Sequence, residues 1–294
     1  MKKLTYTLIV FTFSLFLFLN INGNPLEATI NAEEDIQQNQ IIDILAVNEN
    51  QYKMIKSLVK EKHNVAYLVN HNEEVKNYKL DHAALENILS NDLLIYSNLE
   101  NKNFISKINE GRKNLRDKGS SNIEVNKLRT INISRGIYPI NMEVDSKEEV
   151  NPYYYLGINE YKIALYNTKI ALQEKDIANR DYYEKNYDEI IKEIDSFMKE
   201  VKLALEKGKE YKILVDSNKF DYFFKNLGIQ PIKVNEDNIN NYLEEENILF
   251  IHDVAEKNIL ESASKFKLLE FDFKDSSIVA IKDNITKLLE ALVN

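Results

Sequence analysis

Short apolar runs alternate with helix-like spacing along most of the chain. Residues 41–47 read as a strand, after which Tyr52, Ile55, Leu58 and Val59 fall on one face of a helix. Residues 65–69 form a second strand pattern, and Leu85, Ile88 and Leu89 mark a helix. A third strand is expected at 92–96, a helix over 101–118, a turn at Gly119, Ser120 and Ser121, and a fourth strand at 128–133. Strands that alternate with helices predict βαβ units and a mostly parallel sheet.

The middle of the chain changes character. Residues 158–177 are helical in pattern, and a longer helix is expected from about residue 178 to 207. Tyr183, Tyr187, Ile190, Ile191, Ile194, Phe197, Met198, Val201 and Leu205 keep a 3.6-residue spacing through that stretch, with Glu and Lys between them. A helix of such length can act as a strut between two lobes. Strands then return at 211–215, 232–234, 248–252 and 268–273. Helices are expected at 220–227, 238–245 and 255–266, and a last one from Ser276. The fold class is therefore α/β: an N-terminal lobe over 40–177, a linking helix over 178–208 and a C-terminal lobe over 209–294.

The N-terminus departs from this rhythm. Lys2 and Lys3 precede an apolar stretch at 4–21, followed by polar residues and Pro25. This is the layout of a secretory signal over 1–28, cleaved after Ala28 or Ala32, or else kept as an anchor. Residues 29–39 read as a polar tether. Either outcome places the remainder outside the cytoplasm, at the membrane face or secreted, with membrane contact only through this segment.

Composition then narrows the chemistry. The formal charge of −9, without any Lys/Arg-dominated stretch, argues against nucleic acid as a partner. The absence of cysteine excludes disulfides, thiolate metal sites and Cys nucleophiles, and with them a lipoprotein anchor. Seven glycines form no phosphate-cradling loop, and no nucleophile or His-Glu-x-x-His motif occurs, so an enzyme is not expected.

Several segments, in register over residues 40–294, carry a resemblance. Leu68-Val69 and Val75-Lys76-Asn77-Tyr78 stand where a known family has a strand end followed by Pro-His-Thr-Tyr. Asn91-Asp92-Leu93-Leu94-Ile95-Tyr96 is similar to its Ala-Asp-Leu-Ile-Phe-Tyr strand, and Asn151-Pro152-Tyr153-Tyr154-Tyr155-Leu156 to its Asp-Pro-His-x-Trp-Leu. Tyr182 to Asn186, the run Phe220-Asp221-Tyr222-Phe223, and Asp275-Ser276 with Ile281, Asn284 and Leu288 continue the match. The chain resembles the solute-binding proteins of zinc and manganese ABC transporters. That resemblance implies two lobes, an ABC permease as partner, and one divalent metal (Zn or Mn) as the solute held between the lobes.

In that family the ligands are two His, then a His or Glu, then an Asp. Carried over position by position, the first falls on Lys76, the second on Tyr153, the third on Ser217 or Asn218, and only the fourth, Asp275, keeps its type. A protonated amine has donors and no lone pair, so Lys76 cannot ligate a metal. One expectation is that Lys76 fills the vacated place and pairs with Asp275. Asp275 also reads as the N-cap of the last helix.

Other candidates have two readings each. His252, with Asp216 and Asp253, would make a replacement metal site, or else is an ordinary satisfied histidine. His71 lies in the loop before Lys76, whereas His63 and His82 read as surface residues at helix ends. Tyr153, Tyr154 and Tyr155 either stack on an organic ligand or pack against the linking helix. The functional expectation is an extracytoplasmic solute-binding protein of an ABC transporter, taking a small solute or a metal ion. The alternative is a family relative without a transport role, binding a small organic ligand or a protein partner at the cell surface.

Overall fold

The computed structural model describes residues 41–118, 127–144, 146–207, 211–254, 261–273 and 277–293. The expected leader and tether, the 119–121 turn, Asp275 and residues 255–260 of one expected helix lie outside the described residues.

The first sheet contains β1 (Asp43–Asn48), β2 (Asn64–Val69), β3 (Leu93–Tyr96) and β4 (Arg129–Asn132), in the order β2-β1-β3-β4 with all pairs parallel. Helices cover both faces of such a sheet, so the middle of its central strand β1 is apolar: Ile44, Leu45, Ala46 and Val47 are all buried. Three helices connect the strands: α1 (Glu49–Val59), α2 (His82–Leu89) and α3 (Asn98–Lys118). Asn48 caps α1, its side chain accepting the Gln51 backbone N–H at 3.1 Å.

A hairpin that the apolar pattern did not reveal follows β4. Strands β5 (Asn141–Val144) and β6 (Lys147–Val150) pair antiparallel through a turn where Ser146 has φ 60°. The hairpin has no buried residue, and the alternation in β5 is confined to two apolar positions, Met142 and Val144, too short to mark a strand. Next come α4 (Ile158–Lys175) and the long α5 (Arg180–Leu205), whose 26 residues span about 39 Å.

The second sheet holds β7 (Lys212–Val215), β8 (Ile232–Lys233), β9 (Ile248–Asp253) and β10 (Lys267–Phe271), in the order β10-β9-β7-β8, again all parallel. From its other edge this order reads second, first, third, fourth, the same as in the first sheet. Its helices are α6 (Asp221–Leu227), which ends on left-handed Gly228, and α7 (Ile278–Val293). The expected helix at 238–245 is only the 3-10 turn Ile239–Tyr242, and the described part of the 255–266 helix is the 3-10 turn Glu261–Lys265. Asn238, Asn240 and Asn241 explain the first difference, since asparagines favour turns over helix interiors.

Helix α5 packs on α1, α4 and α7 and so touches the helical layers of both sheets. One continuous apolar cluster runs from Ile44 and Leu58 through Leu165, Tyr183 and Ile194 to Phe223, Phe271 and Leu288. At one end α5 grips the C-terminus of α1, where carbonyls lack helical partners. The Asn186 amide donates to the Leu58 carbonyl at 2.7 Å, and the Tyr182 hydroxyl to that of Val59 at 3.2 Å.

His63 is not a surface residue as expected. It is 5% exposed and its Nδ1 accepts the Ile42 backbone N–H at 3.3 Å. The ring proton therefore sits on Nε2, which faces Asp176 Oδ2 at 3.1 Å and the Tyr183 hydroxyl. Tyr183 in turn donates to Asp176, and Asn179 holds the same carboxylate at 2.8 and 3.0 Å. Burial lowers the His63 pKa, although Asp176 pulls it the other way. Burial and Asp176 together push the Tyr183 hydroxyl far up.

Candidate functional site

In an open parallel sheet the chain leaves the first strand toward one side and the third toward the other. The crevice so created lies at the carboxyl ends of those two strands. The shared order produces such a crevice twice, at β1/β3 and at β7/β9.

At the first crevice a carboxylate is held by amides and a phenol. Glu100, in the first turn of α3, accepts from Asn48 Nδ2 and from Gln51 Nε2, each at 3.0 Å. Gln51 Nε2 also reaches Asn101 Oδ1 at 3.0 Å. The Tyr154 hydroxyl donates to Glu100 and accepts from Ser97. Burial first, and then the Glu100 charge, push that hydroxyl well above the usual phenol range. Tyr154 is 1% exposed, so it presents no surface to a solute. Within the tyrosine run it is the residue that ties the connecting segment to the first lobe.

At the second crevice two acids each meet a base. Asp216 follows β7, and its Oδ2 lies 2.8 Å from His252 Nδ1 on β9. Asp253, the last residue of β9, is fully buried and pairs with Lys219 Nζ at 3.0 Å. It also accepts the Phe273 backbone N–H at 3.4 Å. Lys219 lies in the short turn Asn218–Phe220 after β7, started by Ser217, whose hydroxyl accepts the Lys219 backbone N–H at 3.2 Å. Its ammonium lies 5.5 Å from the centroid of the Tyr153 ring, within cation–π range.

Residues 151–157 join the two crevices. Asn151 donates to the Asn218 carbonyl at 2.8 Å and to Asp221 at 3.2 Å. Tyr153 and Tyr155 are half-buried and edge-on, with centroids 6.3 Å apart. Gly157 then opens α4, where Glu160 binds Lys225 at 2.8 Å and Asn226 at 2.7 Å on α6.

Of the residues singled out in the sequence, the structure gathers Tyr153, Ser217 and Asn218 around Lys219. Lys76 is exposed in the 3-10 turn Asn72–Asn77, and Asp275, its expected partner, lies outside the described residues. His252, Asp216 and Asp253 do not converge as a trio, because the two acids turn to different bases. Among the described residues, no group of three or more His, Asp or Glu side chains is placed to hold a metal ion. Lys219, Glu100 and Gln51 escaped the sequence reading. Their signal was position alone, a polar residue within a few places of a strand's carboxyl end.

No curated protein matches the chain in sequence. Solved structures share its fold at low identity. A zinc-bound deletion mutant of ZnuA is 17% identical, with 87% of this chain covering 99% of that one at a TM-score of 0.66. The metal-dependent lipoprotein YcdH from Bacillus subtilis is 18% identical, with coverage of 86% and 100% and a TM-score of 0.64. FpvC from Pseudomonas aeruginosa, solved in complex with Mn2+, is 14% identical, with coverage of 86% and 99% and a TM-score of 0.65. Residues 44–257 match the family described as zinc-uptake complex component A, periplasmic, a range that takes in the first sheet from Ile44 and strands β7, β8 and β9 of the second. The chain belongs to that family of ABC-transport receptors.

Proposed function

We propose that this chain is an extracytoplasmic receptor that takes up a small solute between its lobes and presents it to an ABC permease. The observation that carries the reading is the repeated strand order, which builds a crevice on each sheet, bridged by residues 151–157. A solute held there touches both lobes at once, so its capture changes how they pack, and a permease can sense that packing. Residues 4–21 would serve as export signal or anchor. Among the described residues no helix is long and apolar enough to cross a membrane, which leaves that task to the N-terminal segment.

The residues present do not fit a dication held in the family's manner. The resemblance puts Lys76 and Tyr153 at the two first-lobe ligand positions, and Ser217 or Asn218, both poor ligands, at the third. The test is to express the full chain with its leader, purify it from the exported fraction, and release its contents by denaturation. Elemental analysis and mass spectrometry should find one small solute per chain. Tyr153→Ala and Asn151→Ala should each lower that occupancy while the fold persists by circular dichroism. An empty wild-type chain, whose melting temperature is unmoved by metal salts, amino acids, sugars and short peptides, would sink the receptor reading.

A further inference from the structure

We infer that Lys219 is a built-in cation, standing where a buried carboxylate would otherwise recruit a dissociable one. Asp253 sits at the carboxyl end of a central strand with no exposed surface. A charged carboxylate in that position is strongly disfavoured unless a positive partner accompanies it. Lys219 supplies it from within the chain at 3.0 Å, and it does so facing the Tyr153 ring. The turn that delivers the ammonium is itself tied down. Ser217 caps it, Asn151 holds the Asn218 carbonyl, and Lys233 holds the Asn218 side chain at 2.6 Å. The neighbouring acid is closed as well, by His252 on Asp216. A divalent ion approaching Asp253 meets an ammonium already in contact with its ligand. Lys219 is thus a specificity-determining residue that excludes metal from the second crevice.

This inference rests on the receptor reading only for its biological meaning, since it removes divalent ions from the solutes Asp253 can hold. The experiment compares the full-length wild type with Lys219→Arg, Lys219→Ala and the double variant Lys219→Ala/Asp253→Asn. Each protein is treated with chelator and then melted with and without one equivalent of Zn2+ or Mn2+. Wild type and Lys219→Arg should melt at the same temperature with or without the ion. Lys219→Ala should melt lower by on the order of 10 °C and recover much of that loss with either ion. The double variant, which removes both members of the Lys219–Asp253 pair, should lose less and ignore both ions.

Should Lys219→Ala not fold, Lys219→Met keeps an aliphatic side chain of similar length without the charge and is expected to show the same rescue. Micromolar, stoichiometric binding of either ion by the wild type would overturn the inference, as would a Lys219→Ala or Lys219→Met variant that no ion rescues. A wild type indifferent to ions and also empty of solute would defeat the receptor reading while supporting this one.

Discussion

The cluster of His63, Asp176 and Tyr183 can be tested by removing one oxygen atom. Tyr183→Phe deletes a hydroxyl that donates to a carboxylate, in a place where all three side chains are almost wholly buried. A buried hydrogen bond to a charged group contributes roughly 1.5–3 kcal/mol. Asp176 keeps His63 at 3.1 Å and Asn179 at 2.8 Å, so the loss should fall in the lower part, about 2 kcal/mol. For a chain of this size that corresponds to about 4–8 °C in melting temperature. The adjacent residue is the internal control. Tyr182→Phe removes a half-buried hydroxyl that meets a neutral carbonyl at 3.2 Å, a contact of about 0.5–1 kcal/mol. Scanning calorimetry at pH 7.5 should therefore separate the two variants by at least a few degrees. Equal shifts, or less than a degree for Tyr183→Phe, would refute the assignment of Tyr183 as a charge-assisted donor.

The same site makes stability depend on pH. Folded His63 binds its proton less readily than an imidazole in the unfolded chain, so below about pH 6.5 the unfolded state takes up more protons. Stability that is complete above that value is lost as pH falls toward the folded pKa. His63→Gln should narrow the difference in melting temperature between pH 7.5 and 5.5, and an unchanged difference would remove His63 as its source. At Gly157, an added methyl would lie 2.4 Å from Glu160 Oε2 and 3.1 Å from both Asn226 Nδ2 and Tyr222 Cβ. Glu160 cannot yield freely because Lys225 and Asn226 hold it. Gly157→Ala should cost about 1–3 kcal/mol in urea denaturation, and a neutral substitution would show that α4 and α6 adjust easily.

Eight parallel strands were legible because each carries apolar side chains toward a buried layer. The hairpin β5–β6 buries no side chain, and its two alternating apolar positions, Met142 and Val144, are too few to stand out. The linking helix was visible for the same reason as the strands: Tyr183, Ile194 and Val201 recur on one face and are buried. His63 was misread because a lone histidine beside charged residues looks solvated. Its partners, Asp176 and Tyr183, are more than a hundred residues away in sequence. The site was harder still. Family spacing brought Tyr153, Ser217 and Asn218 to notice, but Lys219 acts through a contact with Asp253 that no local pattern encodes. Likewise, nothing in Tyr153-Tyr154-Tyr155 says that its middle ring enters the core while the first faces the opposite lobe's lysine.

The grip of α5 on α1 decides what can be cut from this chain and still fold. A fragment ending at Ile177 contains the whole first sheet and its three connecting helices. It lacks Tyr183, Tyr182 and Asn186, however, leaving the Leu58 and Val59 carbonyls and the His63–Asp176 pair without the helix that covers them. A fragment carried on through Leu205 restores every one of those contacts. The unit expected to fold alone is therefore a sheet together with the strut that follows it in sequence, and cooperative melting should emerge only in the longer fragment. By the same token, the second sheet borrows its support from a helix that already belongs to the first.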